Sequence, residues 1–377
     1  MIRRIIERGE NVKTKNVDYM DIAKAIGIIF VILGHTDFKY SNIIYLFHMP
    51  LFFFISGYFF ENYYFINPMK VFVKKVRSLY FPYVKYCVIF LAFHNIFFYM
   101  NIYSNDSNHV GIVLANKYSI SQFIKEILHI LWFSSSEQLL GTFWFLYVLF
   151  GVEILFCSIG FLVKKLTNKY LEEIMGGITL VLFILAGILT NLKISLPKNL
   201  NLILISMFVF YIGYVYRKYE EKIKMNITTF VIFSILIIVC SSYSSVDMVS
   251  GYYSNFVLFI PVALLGIYLV IYISKLISIK FIDTKIKKYF IYVGKNTLTI
   301  MALHFLSFKI VNLAVVCIYS LPYYDIANFP VVRVTGAWWL CLIYCPVGVN
   351  APLLISFITN KIKSHYKLIR AERVTTQ

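Results

Sequence analysis

Lys24 and His35 lie eleven residues apart inside one apolar run that starts at Ile22. On an α-helix that spacing is almost three turns, so both side chains share a face, about 16 Å apart along the axis. An ionisable residue inside an apolar helix is costly to keep and marks a functional site. Asp21, one turn before Lys24, is placed to neutralise it. A second imidazole follows in Phe47-His48-Met49-Pro50-Leu51-Phe52-Phe53-Phe54-Ile55-Ser56-Gly57-Tyr58. A tight hairpin would bring His48 to the depth of His35. Pro50 interrupts the helical ladder there and can kink the helix or open space. Two imidazoles at one depth form a proton-handling pair, because histidine titrates near neutrality. Ser56 and Gly57 are read equally as small-residue packing positions or as a substrate contact.

These residues need elements that hold them in a bilayer. The 377-residue chain is 60% hydrophobic and 14% charged, with a mean hydropathy of +0.75. Apolar runs long enough to cross a membrane recur throughout. The expected fold is all-α and polytopic, with about ten spans near 18–38, 43–62, 80–101, 142–163, 174–190, 200–216, 226–243, 254–276, 297–320 and 335–358. A basic leader (1–17) precedes a transmembrane domain (18–360), and a basic tail (361–377) follows. The first apolar run lacks a small-residue cleavage site, so it is expected to remain as a span.

The net charge of +18 would point to nucleic acid in a soluble protein. Here it is distributed by side. Only Lys39, Lys117, Lys125, Lys193, Lys198 and Arg333 fall in one set of alternating loops. The bias predicts that both termini are cytoplasmic, and anionic headgroups account for the charge without a nucleic-acid partner. The six cysteines lie in or beside apolar spans without a metal-ligand pattern, so packing roles and no metal are expected.

The stretch 102–141 is the longest between spans. It turns amphipathic from Phe123 to Leu131, as in a helix that lies on a membrane surface, caps a cavity or simply connects. Lys85 and Lys309 are expected to snorkel from their spans. Glu153 could pair with either of them or with Lys24, and His94 reads as structural. The loop with Lys70, Lys74, Lys75 and Arg77 suits lipid phosphates or a phosphate-bearing cofactor. Gly294-Lys295-Asn296-Thr297 could start a helix, with Asn296 as its N-cap.

Taken together, these blocks resemble the acyltransferase-3 family of integral membrane acyltransferases, in particular its fucose 4-O-acetylase-like branch. The first signature, Arg or Lys, ten residues, then His, stands as Lys24 and His35, preceded by Asp21. The second runs from Phe47 to Tyr58 almost unmodified. Arg77 with Pro82, Phe143-Trp144-Phe145-Leu146, and Gly294-Lys295-Asn296-Thr297-Leu298 with His304 resemble later blocks. The resemblance implies ten spans and transfer of an acetyl or other short acyl group from cytosolic acyl-CoA to a hydroxyl. The acceptor would be a surface or exported glycan, such as an exopolysaccharide or O-antigen, or a lipid-linked sugar. It also implies His35, His48, Lys24 and Asp21 as catalytic residues, and Ser56, Trp144, Asn296 and His304 as substrate contacts.

Lys74, Lys75 and Arg77 would hold the phosphates of acetyl-CoA, with the pantetheine arm running past Lys24. His35 would act as general base, and His48 would stabilise the oxyanion. A covalent acyl-enzyme remains an equal route. The rival class is a multi-pass transporter or flippase of glycan precursors. It is disfavoured because the polar residues cluster in the first two spans, with no counterpart halfway along. The expected location is the cell membrane, inner or plasma.

Overall fold

The computed structural model describes the backbone of residues 2–110, 114–135 and 137–375, and the side chains of 18–108, 114–135 and 137–362. The leader 1–17 and most of the tail 361–377, expected to be basic cytoplasmic segments, have side chains outside those residues. In chain order the helices are α1 (Ile2–Gly34), α2 (Ser41–Tyr45), α3 (His48–Tyr58), α4 (Pro68–Lys75), α5 (Phe81–Tyr99), α6 (Ser107–Val110), α7 (Ile120–Leu131) and α8 (Trp144–Leu166). There follow α9 (Leu171–Asn191), α10 (Leu200–Tyr219), α11 (Ile227–Ser241), α12 (Phe256–Lys280), α13 (Lys285–Lys295), α14 (Thr297–Ile318) and α15 (Cys341–Thr375). Among the described residues the only sheet is a two-stranded hairpin, β1 (Val246–Asp247) with β2 (Tyr252–Tyr253).

Among the described residues, seven helical segments are long and apolar enough to cross a membrane, including Pro68–Tyr99, Gln138–Leu166 and Thr297–Ile318. Three of the ten expected spans have other forms. The first lies on α1. The second is broken into α2 and α3, with Leu46 and Phe47 between them. Pro50 does not kink a continuous helix as expected. It sits in the first turn of α3, where no intrahelical donor is lost. The seventh is α11, whose 15 residues span about 22 Å at 1.5 Å per residue.

α1 is the centre of the bundle. Met20, Ile22, Ala23, Ala25 and Ile32 are fully buried, and α1 packs on α3, α12, α13, α14 and α15. Lipid is as apolar as a helix surface, so close backbone approach must supply association. α3 and α10 achieve it reciprocally. A Cβ on Gly57 would meet the Phe210 carbonyl oxygen at 1.9 Å, and one on Gly213 would meet the Phe54 carbonyl oxygen at 1.9 Å.

The intramembrane polar residues find protein partners. Glu153 pairs with Lys75, Nζ to Oε2 at 2.6 Å, and not with Lys24, Lys85 or Lys309. Lys309 does not snorkel. It donates to the carbonyls of Ile326, Ala327 and Asn328 at 2.9–3.1 Å, and Asn312 Nδ2 donates to the Ile326 and Asn328 carbonyls at 3.0 Å, so the two side chains satisfy this loop inside the protein. His94 Nδ1 donates to Glu137 at 3.0 Å, Tyr103 donates to Glu137 at 2.7 Å, and Tyr118 stacks on His94 at 3.6 Å. This cluster ties α5 to the 102–141 stretch, which is the structural role expected of His94. All six cysteines are free.

Candidate functional site

The helical spacing that aligns Lys24 with His35 becomes a wall. Lys24, Ile28, Val31 and His35 form one stripe of α1, and all four line a cavity of about 210 Å³. His48, Phe52 and Ser56 line it from α3, Trp144 and Phe145 from α8, and Thr297, Leu298 and Met301 from α14. The wall is mostly apolar. Its polar groups stand at intervals along it, with Lys24 at one extreme and Asp247 of the hairpin among its lining. It therefore excludes water between a few fixed polar positions, as ligand sites do.

Lys24 Nζ lies 2.5 Å from Asp21 Oδ1 and 5.5 Å from the Phe59 ring centroid. Asp21 is 3% exposed and does not itself line the cavity. Its backbone carbonyl lies where a Cβ on Gly294 would come within 1.9 Å, so glycine is what lets α13 close on α1. The Gly294-Lys295-Asn296 block thus seats α13 and starts α14. Asn296 does not cap α14 with its side chain. Its Nδ2 donates to Tyr292 at 2.8 Å and its Oδ1 accepts from Ser356 at 2.6 Å. It faces away from the cavity, and its neighbour Thr297 takes that position.

His48 Nδ1 lies 2.8 Å from the Ile44 carbonyl. A carbonyl only accepts, so Nδ1 carries the proton and Nε2 of the neutral ring is an acceptor. The Tyr45 ring stands edge-on to His48 at 5.0 Å and its hydroxyl donates to Gly34 at 3.3 Å, bridging the two histidine-bearing helices. His35 stacks on His304 at 5.6 Å and tilts against Phe305 at 4.9 Å. His304 is fully buried, donates from Nδ1 to Met301 at 2.9 Å, and has no partner at Nε2. It stands behind His35, outside the cavity lining. The Ser56 hydroxyl donates back to Phe52 at 2.8 Å and still borders the cavity.

The basic loop divides. Lys74 and Arg77 share an open groove with Lys70 and Ser78, and Lys74 also meets the Tyr64 hydroxyl. Lys75 is turned away into its buried pair with Glu153. Lys74 and Lys75 are neighbours on α4 and so point to different faces, and a π-helical turn, Val76–Tyr80, follows. It puts Arg77 and Ser78 on the groove and Leu79 on the cavity, in keeping with the placement of such turns at functional sites.

The family model described as an acyltransferase domain, of acyltransferase-3 type, matches residues 17–357. The chain belongs to the acyltransferase-3 family. It is a multi-pass membrane acyltransferase. No curated protein and no solved structure matches it.

Every residue of the acyltransferase-3 cavity falls within the matched stretch. Sequence reasoning missed Tyr45, Thr142, Met301 and the hairpin. Tyr45 was within reach, three residues before His48. Thr142 donates to the Met301 carbonyl at 3.2 Å, a contact across 159 residues that no local pattern carries. α7 is absent from the cavity lining, so the capping role considered for it falls instead to the hairpin.

Proposed function

We propose that this acyltransferase moves an acyl group, acetyl in our reading, from cytosolic acyl-CoA to a hydroxyl of a surface or exported carbohydrate. The chain crosses the cell membrane ten times, with both termini in the cytosol. The Lys24 end of the cavity faces the cytosol and the hairpin faces out. The observation that carries this reading is the unbroken stripe Lys24, Ile28, Val31, His35 along one cavity.

The groove of Lys70, Lys74 and Arg77 receives the CoA phosphates, where a planar guanidinium and two ammonium groups suit phosphate oxygens. The acyl-pantetheine arm enters past Lys24 and brings the thioester up the stripe. The sugar hydroxyl arrives at His35. Its oxygen attacks the thioester carbon while the His35 imidazole takes the proton. The tetrahedral centre then collapses, the C–S bond breaks, and the leaving thiolate recovers the proton.

His48, whose Nδ1 is held by the Ile44 carbonyl, leaves Nε2 to orient the hydroxyl in its neutral form, or to donate to the oxyanion as first expected in its protonated form. The stacked His304 and Phe305 hold the His35 ring as a rigid base.

The test uses membranes bearing wild-type protein or His35→Ala, radiolabelled acetyl-CoA and base-stripped surface polysaccharide. Loss of a general base is expected to lower transfer by about 10²-fold or more. Near-normal transfer by His35→Ala would remove it from the mechanism, and label found on protein instead of glycan would favour a covalent route.

A further inference from the structure

Beyond the hairpin lies a second pocket, of about 540 Å³, which shares Met248 and Val249 with the cavity. Its other wall is the connection between α9 and α10. That connection is framed by Asn201, which donates to Ile194 at 2.8 Å and to Thr190 at 3.3 Å and accepts from the Leu196 amide at 3.3 Å. The frame leaves Asn191, Ser195 and Asn199 exposed on the pocket, with no side-chain hydrogen bond among the described residues. Facing them are Ser250, Tyr252 and Tyr253 of the hairpin. Tyr253 is 7% exposed and its phenolic oxygen has no hydrogen-bond partner, a buried polar group that a ligand would satisfy.

The hairpin is built to hold its place. Val246 pairs with Tyr253 and Asp247 with Tyr252. Asp247 accepts from the Val249 amide at 3.1 Å and the Ser250 hydroxyl at 2.8 Å, and Gly251 turns the chain at φ +69°. Asn42 of α2 donates to Ser241 and Ser244 just before it. The tip is therefore fixed beside the Tyr45–His48 end of the cavity. Met248, 4% exposed, is a wall of both spaces.

We propose that this outer pocket is the acceptor subsite and binds a polyhydroxylated carbohydrate, with the Met248–Val249 tip as the partition past which one hydroxyl reaches the cavity. Neutral amides, hydroxyls and two tyrosine rings match the alternating hydroxyl and C–H faces of a sugar. Lys193 supplies the one cation in the lining, and no carboxylate of this pocket opposes it. The assignment rests on the acyl-transfer reading for the identity of the ligand, and its test separates the two.

Ser195 touches only the outer pocket, so Ser195→Trp fills it without entering the cavity. The expected result is an acceptor KM raised at least about 10-fold, equivalent to about 1.4 kcal/mol. Donor KM and glycan-independent thioester hydrolysis stay at wild-type values. An unchanged acceptor KM in Ser195→Trp overturns the assignment.

Hydrogen exchange of the wild-type protein gives a readout independent of chemistry. Base-stripped surface polysaccharide is expected to slow exchange in 190–201 and 246–253, and Ser195→Trp to abolish that protection. Transfer without protection sinks the pocket and spares the acyltransferase reading. Protection without transfer does the reverse. Met248→Ala, which thins the partition, is expected to raise thioester hydrolysis by water severalfold; unchanged hydrolysis removes the partition role.

Discussion

Single side chains in the basic loop look alike in sequence and differ in the fold. Lys74 and Arg77 face an open groove, whereas Lys75 neutralises Glu153, whose side chain is 2% exposed. Removing Lys75 leaves a carboxylate buried without its partner, which costs about 3 kcal/mol or more. Lys75→Ala is therefore expected to lower the unfolding temperature in detergent, and Lys75→Ala with Glu153→Leu to recover most of it. Lys74→Ala and Arg77→Ala are expected to leave the unfolding temperature alone and raise the KM for acyl-CoA. Equal melting of all three single variants would refute this division. Lys24 differs again, since it lines the cavity while paired to Asp21 at 2.5 Å. Lys24→Ala is expected to weaken use of acyl-CoA, and an unchanged dependence on donor concentration would reject that role. The residue types alone mark the group as suited to phosphate. Which lysine turns inward depends on where Glu153 of α8 packs, 78 residues along the chain, and local spacing does not reveal that.

At the scale of elements, the stripe on α1 and the two histidine-bearing helices were legible because periodicity alone sets which residues share a face. The break between α2 and α3 was not, since hydropathy stays high across Leu46 and Phe47 while the backbone leaves the helix. The hairpin β1–β2 carries two short strands and no strong alternation, so nothing local announced it. Close approaches were partly legible as glycines, but their partners lie far along the chain. Gly57 and Gly213 each sit against a carbonyl of the other helix at a distance no Cβ tolerates. Gly57→Val is expected to force α3 from α10 and destabilise the protein by about 2 kcal/mol or more. It would also displace Phe52 and Ser56 from the cavity, so activity is expected to fall with stability. A thermal melt matching wild type would show that the two helices do not depend on this contact.

At the scale of the whole molecule, the proposed reaction requires a passage. On the proposed reading, the thioester has to travel from the Lys24 end to His35, about 16 Å along α1 at 1.5 Å per residue. Only the slim acyl-pantetheine arm has to cover that distance. The walls between are apolar, Ile28 and Val31 on α1 against Phe52 and Phe145, which suits the proposed passage of an amphipathic arm without bulk water. Positive-inside charge predicts which end of such a path faces the cytosol, whereas the existence of a path depends on how four helices pack. Ile28 stands between the two ends, one turn above Lys24 and two below His35. A bulky side chain there is expected to separate binding from chemistry. Ile28→Trp should retain affinity for desacetyl-CoA measured by calorimetry, because the phosphate groove is untouched, while transfer and thioester hydrolysis both fall by about 10²-fold, as when a reacting group is held out of its near-attack geometry. Ile28→Leu, of equal volume, should keep both. Unimpaired transfer by a correctly folded Ile28→Trp would mean that the acyl group reaches His35 by another route.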